Sequence, residues 1–219
     1  MDFTIKTLGP CKIKSPLLLS KEKDDGIYNY VEDGARVLYS SSVEEVEHCI
    51  KNNLPLDSFE KPGPKEFIYF DPSKAKVAII TCGGLCPGLN NVIRGLVTHL
   101  WNRYGVTNIV GIQYGYAGLN PDSKIPFVKL DPDIVDDIHK DGGSMLGSSR
   151  GEQNIETVVD TLERNNINIL FCVGGDGTLR GAHAIYKEIT KRGLKISVAG
   201  VPKTIDNDIN YIDKSFGLC

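Results

Sequence analysis

The sequence predicts an α/β protein, a Rossmann-like three-layer arrangement with a parallel sheet between helices. Three observations carry that prediction. From Lys76 onward, strand-length apolar runs alternate with amphipathic helical stretches. The connections are short and marked by glycine, as right-handed crossovers between parallel strands require. The runs are apolar throughout rather than alternating, which is the pattern of strands covered on both faces.

The elements follow in order. Val77–Cys82 is a continuous apolar run that ends at Gly83-Gly84 and reads as a buried strand. Leu89–Arg103 reads as a helix with Val92, Leu96 and Leu100 on one face and Gly105 as its stop. Asn108–Ile112 is the next strand. Asp131–Lys140 reads as a short helix closed by Gly142-Gly143, and Asn154–Asn165 as another, burying Ile155, Val158, Val159 and Leu162. Ile167–Val173 is a strand, Leu179–Arg192 a helix ended by Gly193, and Ile196–Val201 a strand. Ligands of such sheets sit beyond the carboxyl ends of the strands.

Residues 1–74 differ. Gly9-Pro10, Gly34 and Lys61-Pro-Gly-Pro64 break any period, and Val43–Glu47 fits one helical turn. This region reads either as an extension with little regular structure that wraps the domain or makes contacts, or as a partly disordered tail. The organisation is therefore an extension over 1–74 and an α/β lobe over 75–219.

A length of 219 residues implies one domain, or one and a half, and 41% hydrophobic with 24% charged residues is ordinary for a soluble globular chain. A net charge of −3 gives no basic excess to neutralise a nucleic-acid backbone. No apolar run approaches the ~18 residues of a membrane span. Met1–Thr7 lacks the character of a transit peptide. Of the six cysteines, Cys82 and Cys172 end apolar runs as small core residues. Cys82 and Cys86 have no second pair or histidine cluster to complete a zinc site. Reduced thiols in a cytoplasmic setting fit best. His48, His99, His139 and His183 match no nucleophile or metal spacing.

The chemistry lies at the strand ends. Gly83-Gly84-Leu-Cys-Pro-Gly88 is a strand-to-helix turn, either a phosphate cradle or a plain tight connection. Gly174-Gly-Asp-Gly-Thr178 places an acid between glycines at a strand end. Asp176 suits Mg²⁺, which takes one or two carboxylates alongside phosphate oxygens; alternatively Asp176 or Thr178 only caps the helix. Pro202-Lys-Thr-Ile-Asp-Asn-Asp208 sets a cation, a hydroxyl and two carboxylates at a third strand end, or is an Asx-rich turn. A metal carboxylate, a base, a cation and phosphate-facing backbone are the inventory of phosphoryl transfer.

Thr81–Arg94, Gly142–Gly151, Phe171–Thr178 and Val201–Asp208 resemble, in order, the active-site signatures of the 6-phosphofructokinases, and the match runs from Gly63 to Gly217. The Leu85-Cys-Pro-Gly88 form looks like the ATP-dependent plant and protist branch, since many bacterial relatives carry aspartate where Leu85 stands. The resemblance implies that ATP phosphorylates D-fructose 6-phosphate with Mg²⁺ in glycolysis. It implies nucleotide contacts at Gly83, Arg150, Gly151, Gly175, Asp176, Gly177 and Thr178, with Asp176 on the metal. It implies Asp206 as the general base, Lys203 as a catalytic cation, and Thr204, Ile205 and Asp206 on the sugar phosphate. Asp208 would be a supporting or metal-linked acid.

Gly177 implies ATP, because the family carries aspartate there when pyrophosphate is the donor. Lys203 alone leans toward pyrophosphate, and the pair together fits the plant and protist ATP-dependent pattern. The Gly-Asp-Gly-Thr motif also occurs in NAD kinases and lipid kinases, which Lys203–Asp208 disfavours. The family continues past Asp213–Gly217 into a second lobe holding most of the sugar-phosphate site, some of it across a subunit contact, and Leu218-Cys219 departs from that continuation. The chain is therefore expected to lack the second lobe and to form homo- or hetero-oligomers with phosphofructokinase subunits. The alternatives are a pyrophosphate-dependent enzyme, or a non-catalytic chain that binds nucleotide or a full-length subunit.

Overall fold

The computed structural model describes residues 5–22, 24–151, 153–209, 212 and 215–217. Asp213, Lys214, Leu218 and Cys219, which bear on the family's continuation, lie outside the described residues, as do Met1–Thr4 of the amino-terminal reading. The chain divides into two units, Met1–Tyr69 and Phe70–Cys219.

The first unit is built from two small antiparallel pairs and one helix. β1 (Ile13–Lys14) pairs with β4 (Phe67–Ile68), and β2 (Arg36–Leu38) with β3 (Ser58–Glu60). Between β2 and β3 lies α1 (Val43–Lys51), nine residues rather than the single turn expected at Val43–Glu47. Its length follows from its ends. The Ser42 hydroxyl accepts the Glu45 N–H, Glu44 and Glu45 stand in the first turn, and Lys51 stands in the last, each charge favourable to the helix dipole. Among the described residues of this unit only Ser15 is buried, so no apolar core forms here.

The second unit holds the sheet. β5 (Lys76–Cys82), β6 (Asn108–Ile112), β7 (Val128–Leu130), β8 (Ile169–Gly174) and β9 (Ser197–Pro202) lie in the order β7-β6-β5-β8-β9. The β6–β5, β5–β8 and β8–β9 pairings are parallel. β7 runs antiparallel to β6 at the edge, an element the sequence reading did not contain. The helices are α2 (Leu89–His99), α3 (Pro132–Val135), α4 (Ile155–Arg164) and α5 (Asp176–Lys191).

The alternation of β5 sends its side chains to two cores. Ala78, Ile80 and Cys82 pack with Val158, Val159 and Leu162 of α4 and Ala182, Ile185 and Ile189 of α5. Val77 and Ile79 pack with Leu89, Ile93 and Val97 of α2 and Val135 of α3. Helices thus cover both faces of the sheet, which is the three-layer α/β arrangement read from the sequence. No helix among the described residues is long and apolar enough to cross a membrane.

Several boundaries differ from expectation. The Leu89–Arg103 helix is α2 followed by a wider π-helical turn at Leu100–Tyr104, ended by left-handed Gly105. Its fully buried stripe is Leu89, Ile93 and Val97, while Val92, Leu96 and Leu100 are only half-buried. Asp131–Lys140 is not one helix: the Asp131 carboxylate caps α3, and Ile138–Lys140 forms a separate 3₁₀ turn. α5 begins at Asp176 rather than Leu179, because Gly175 is extended and serves as its N-cap.

Candidate functional site

β5, β8 and β9 are adjacent and parallel, so their carboxyl ends meet on one edge of the sheet. Gly83, Gly175 and Lys203 each follow directly from one of these ends. The Lys203 N–H donates to the Gly174 carbonyl at 2.9 Å, which ties the β9 end to the β8 turn. The Lys203 ammonium donates to the Gly84 carbonyl at 2.9 Å, which ties it to the β5 turn.

Arg150 arrives at the same point from the loop before α4. A Cβ on Gly84 would stand 3.4 Å from Arg150 Nη2 and 3.8 Å from Lys203 Nζ, so glycine leaves the space in which these two cations meet. Gly83 has φ +84, a conformation that glycine alone adopts without strain. Its N–H is donated to the Ser149 carbonyl at 3.1 Å and its carbonyl accepts from Ser148. Gly83 therefore shapes the turn, with its own amide already engaged. Gly151, at φ +110, is exposed beside Arg150.

The loop that brings Arg150 is held along its length. Asn90, 3% exposed, accepts the Met145 N–H at 2.8 Å and donates to the Asp141 carbonyl at 3.2 Å. The Thr81 hydroxyl lies 2.8 Å from that of Ser144 and donates to the Gly147 carbonyl at 2.6 Å. Ser149 donates to the Tyr114 carbonyl. The sequence reading missed Asn90, Ser148 and Ser149; a polar residue in the first turn of an apolar helix was the available signal for Asn90.

Asp176 is the first residue of α5, where an acid favours the positive helix end. Its carboxylate is exposed and gripped by Arg180 one turn on, Nη2 to Oδ2 at 2.5 Å and Nε to Oδ1 at 3.3 Å. Arg180 was also missed, although four-residue spacing from an acid is a legible signal. Gly177 has nothing within 4 Å of where a Cβ would lie. Thr178 is 5% exposed, and its hydroxyl crowds Gly174, where a Cβ would lie 2.3 Å from Thr178 Oγ1 and 2.6 Å from the Cys82 carbonyl. The Tyr116 hydroxyl donates to the Thr178 carbonyl at 2.8 Å, bracing the first turn of α5 from beneath. Burial raises the Tyr116 phenol and pushes the Cys82 and Cys172 thiols up to about 11 and about 12. All three stay protonated at neutral pH.

After β9 the chain turns on Thr204. Its hydroxyl donates to Asp208 at 2.6 Å and accepts the Asp206 N–H at 3.1 Å, while its backbone is fixed by Ser215. Thr204 is 7% exposed and spends its hydroxyl inside this turn; Ile205, Asp206, Asn207 and Asp208 are exposed. The structure thus gathers Gly83, Gly84, Arg150, Gly175 and Lys203 through direct or near contacts. Asp176 and Asp206 stand at the ends of the neighbouring strands β8 and β9.

The metal donor set is modest. No cluster of three His, Cys, Asp or Glu side chains occurs among the described residues. One exposed hard carboxylate at a strand end fits Mg²⁺ shared with phosphate oxygens, and its surface ion pair to Arg180 is weak enough to yield.

An α/β sheet with its polar residues at adjoining strand ends is the frame of a nucleotide-binding lobe. The family pattern described as Phosphofructokinase matches residues 76–219. A protein from Borreliella burgdorferi named ATP-dependent 6-phosphofructokinase is 49% identical over 218 residues, covering 100% of this chain and 48% of that protein. One of the same name from Entamoeba histolytica is 59% identical over 174 residues, covering 78% of this chain and 39% of its own. The crystal structure of Pichia pastoris phosphofructokinase in the T-state superposes with a TM-score of 0.58 at 26% identity, over 74% of this chain and 19% of that one. The chain belongs to the phosphofructokinase family. It spans about half the length of the curated relatives it matches.

Proposed function

We propose that this chain supplies the nucleotide side and the base of an ATP-dependent 6-phosphofructokinase, converting ATP and D-fructose 6-phosphate to ADP and fructose 1,6-bisphosphate in glycolysis. The observation that carries the reading is the meeting of Lys203 and Arg150 over Gly84, between the ends of β5 and β9. Two cations there suit the charge that spreads over a transferred phosphoryl group. Residues 75–219 act as the nucleotide-binding lobe and 1–74 as its extension.

In this reading Asp206 takes the proton of the sugar 1-hydroxyl, and the hydroxyl oxygen bonds to the γ-phosphorus as the bond to the ADP oxygen breaks. Asp206 is exposed to receive substrate, and its backbone is fixed by Thr204. Thr204 serves the sugar site by holding that turn rather than by offering its hydroxyl. Gly177 in the first turn of α5 leaves room for the nucleotide, Gly175 lets the β8 turn close on the Lys203 carbonyl, and Thr178 packs behind them. Asp176 would hold Mg²⁺, which would supply charge neutralisation to the nucleotide's phosphates. Groups for the sugar phosphate come from a further phosphofructokinase lobe, in the same or a neighbouring subunit, so the working form is a homo- or hetero-oligomer. The setting that goes with this reading is cytoplasmic, where glycolysis runs and thiols stay reduced.

The test offers ATP and pyrophosphate separately, with Mg²⁺ and fructose 6-phosphate, to the wild-type chain, Asp206→Ala and Gly177→Asp. ATP-dependent turnover is expected, reduced by about 10² or more in Asp206→Ala. Gly177→Asp has open space for its side chain and should fold normally. Its added charge should weaken ATP by about tenfold or more. Turnover with pyrophosphate alone would reassign the donor. A folded chain that binds Mg·ATP but turns nothing over would mark a binding chain.

A further inference from the structure

A cavity of about 470 Å³ opens beside β6, on the face of the sheet that α4 covers. It lies where Lys76 begins β5, where the loop from Asn120 leads into β7, and where Arg164 ends α4. Its Lys76 end lies about 20 Å of strand from the Gly83 turn, while Gly118 and the Asn120 loop reach up toward the carboxyl end of β6, and none of its lining residues belongs to the strand-end site. Its volume is that of a small-molecule site.

Its charge is one-sided. Lys76, Lys124 and Arg164 line it and no aspartate or glutamate does, in a chain whose net charge is −3. The Lys76 and Lys124 ammonium groups make no ion pair or hydrogen bond among the described residues. Arg164 has Asp160 as its carboxylate neighbour at 3.7 Å, and the other oxygen of that group is taken by Arg192 at 2.5 Å. Arg164 therefore keeps donors for another acceptor.

The neutral polar groups are poised in the same sense. The Asn120 side-chain oxygen accepts the Asp122 N–H at 3.0 Å, which leaves its amide N–H groups to donate. The Ser123 oxygen accepts from the Ile125 N–H at 3.4 Å, which leaves its O–H to donate. Phe127 adds an apolar wall. The cavity offers donors and positive charge on one part of its lining and an aromatic ring on another. Three cations exceed what a single carboxylate needs and match the nearly double charge of a phosphate monoester.

We propose that this cavity binds a small phosphorylated molecule, with its phosphoryl group among Lys76, Lys124 and Arg164 and its apolar part on Phe127, at a site separate from the strand-end site. The inference does not use the kinase reading.

Phenyl phosphate is titrated into the ¹⁵N-labelled full chain at constant ionic strength, with chloride as the exchanged anion and amide shifts as the readout. Saturable shifts are expected in the Asn120–Phe127 loop and at Arg164. The exposed changes Lys124→Gln and Arg164→Gln should each weaken binding about fivefold, with the remaining amide spectrum unchanged as evidence of folding. Shifts that grow linearly with phenyl phosphate without saturating would overturn the proposal. So would shifts confined to Gly83, Gly84, Arg150 and Asp176, or variants that bind as tightly as the parent chain.

Discussion

Glycine and buried hydroxyl groups at the strand ends set the site residue by residue. Gly174 cannot carry a side chain because Thr178 and the Cys82 carbonyl occupy that space. Beneath them Tyr116, Cys82 and Cys172 form a protonated cluster, and this gives the fold a pH limit. The thiol of Cys82 rises from an ordinary 9.0 to about 11 and that of Cys172 to about 12, chiefly through burial away from water. A raised thiol pKa means that the unfolded chain loses its proton first as pH increases. The stabilisation is therefore complete below about pH 9 and is lost as pH climbs through about 11 to 12, on the order of 3 kcal/mol for Cys82 and 4 kcal/mol for Cys172. Thermal unfolding should be flat from about pH 7 to 8.5 and fall above pH 9. Cys172→Ala should flatten that fall measurably against the parent chain, and an unchanged slope would contradict the assignment.

At the scale of elements, the strand-end site depends on a clamp between α2 and the following loops. Asn90→Ala removes the acceptor of the Met145 N–H and the donor to the Asp141 carbonyl. Loss of about 1–3 kcal/mol is expected in chemical unfolding, with faster hydrogen exchange at Met145 as the local signature. The sequence displayed most of these elements, because β5, β6, β8 and β9 are apolar runs with a glycine or proline signal close behind. It concealed others for physical reasons. α2 carries two apolar stripes at the same spacing, Leu89-Ile93-Val97 and Val92-Leu96-Leu100, and packing against Val77 and Ile79 of β5 decides which one is fully buried. β7 is three residues long, too short to show a period. The strand-end residues Asp176, Lys203 and Asp206 were legible from type and position. Arg180 on the Asp176 carboxylate was legible in its four-residue spacing, whereas Thr204 turned inward came from side-chain geometry that no spacing states.

For the whole molecule, the two units differ in what holds them. Every buried apolar side chain among the described residues lies at Ala75 or beyond. A chain of residues 70–219 should therefore keep a single cooperative unfolding transition, while residues 1–69 alone should show none. Calorimetry of the two pieces decides it, and a cooperative transition in 1–69 would refute the expectation. A last consequence follows from the Lys203 ammonium resting on a backbone carbonyl instead of an acid. A carbonyl orients a cation without cancelling its charge, so Lys203 keeps its own attraction for anions. On the proposed function, capture of a polyphosphate there would be a matter of encounter rate, quickest in dilute salt and slowing as the ionic atmosphere thickens.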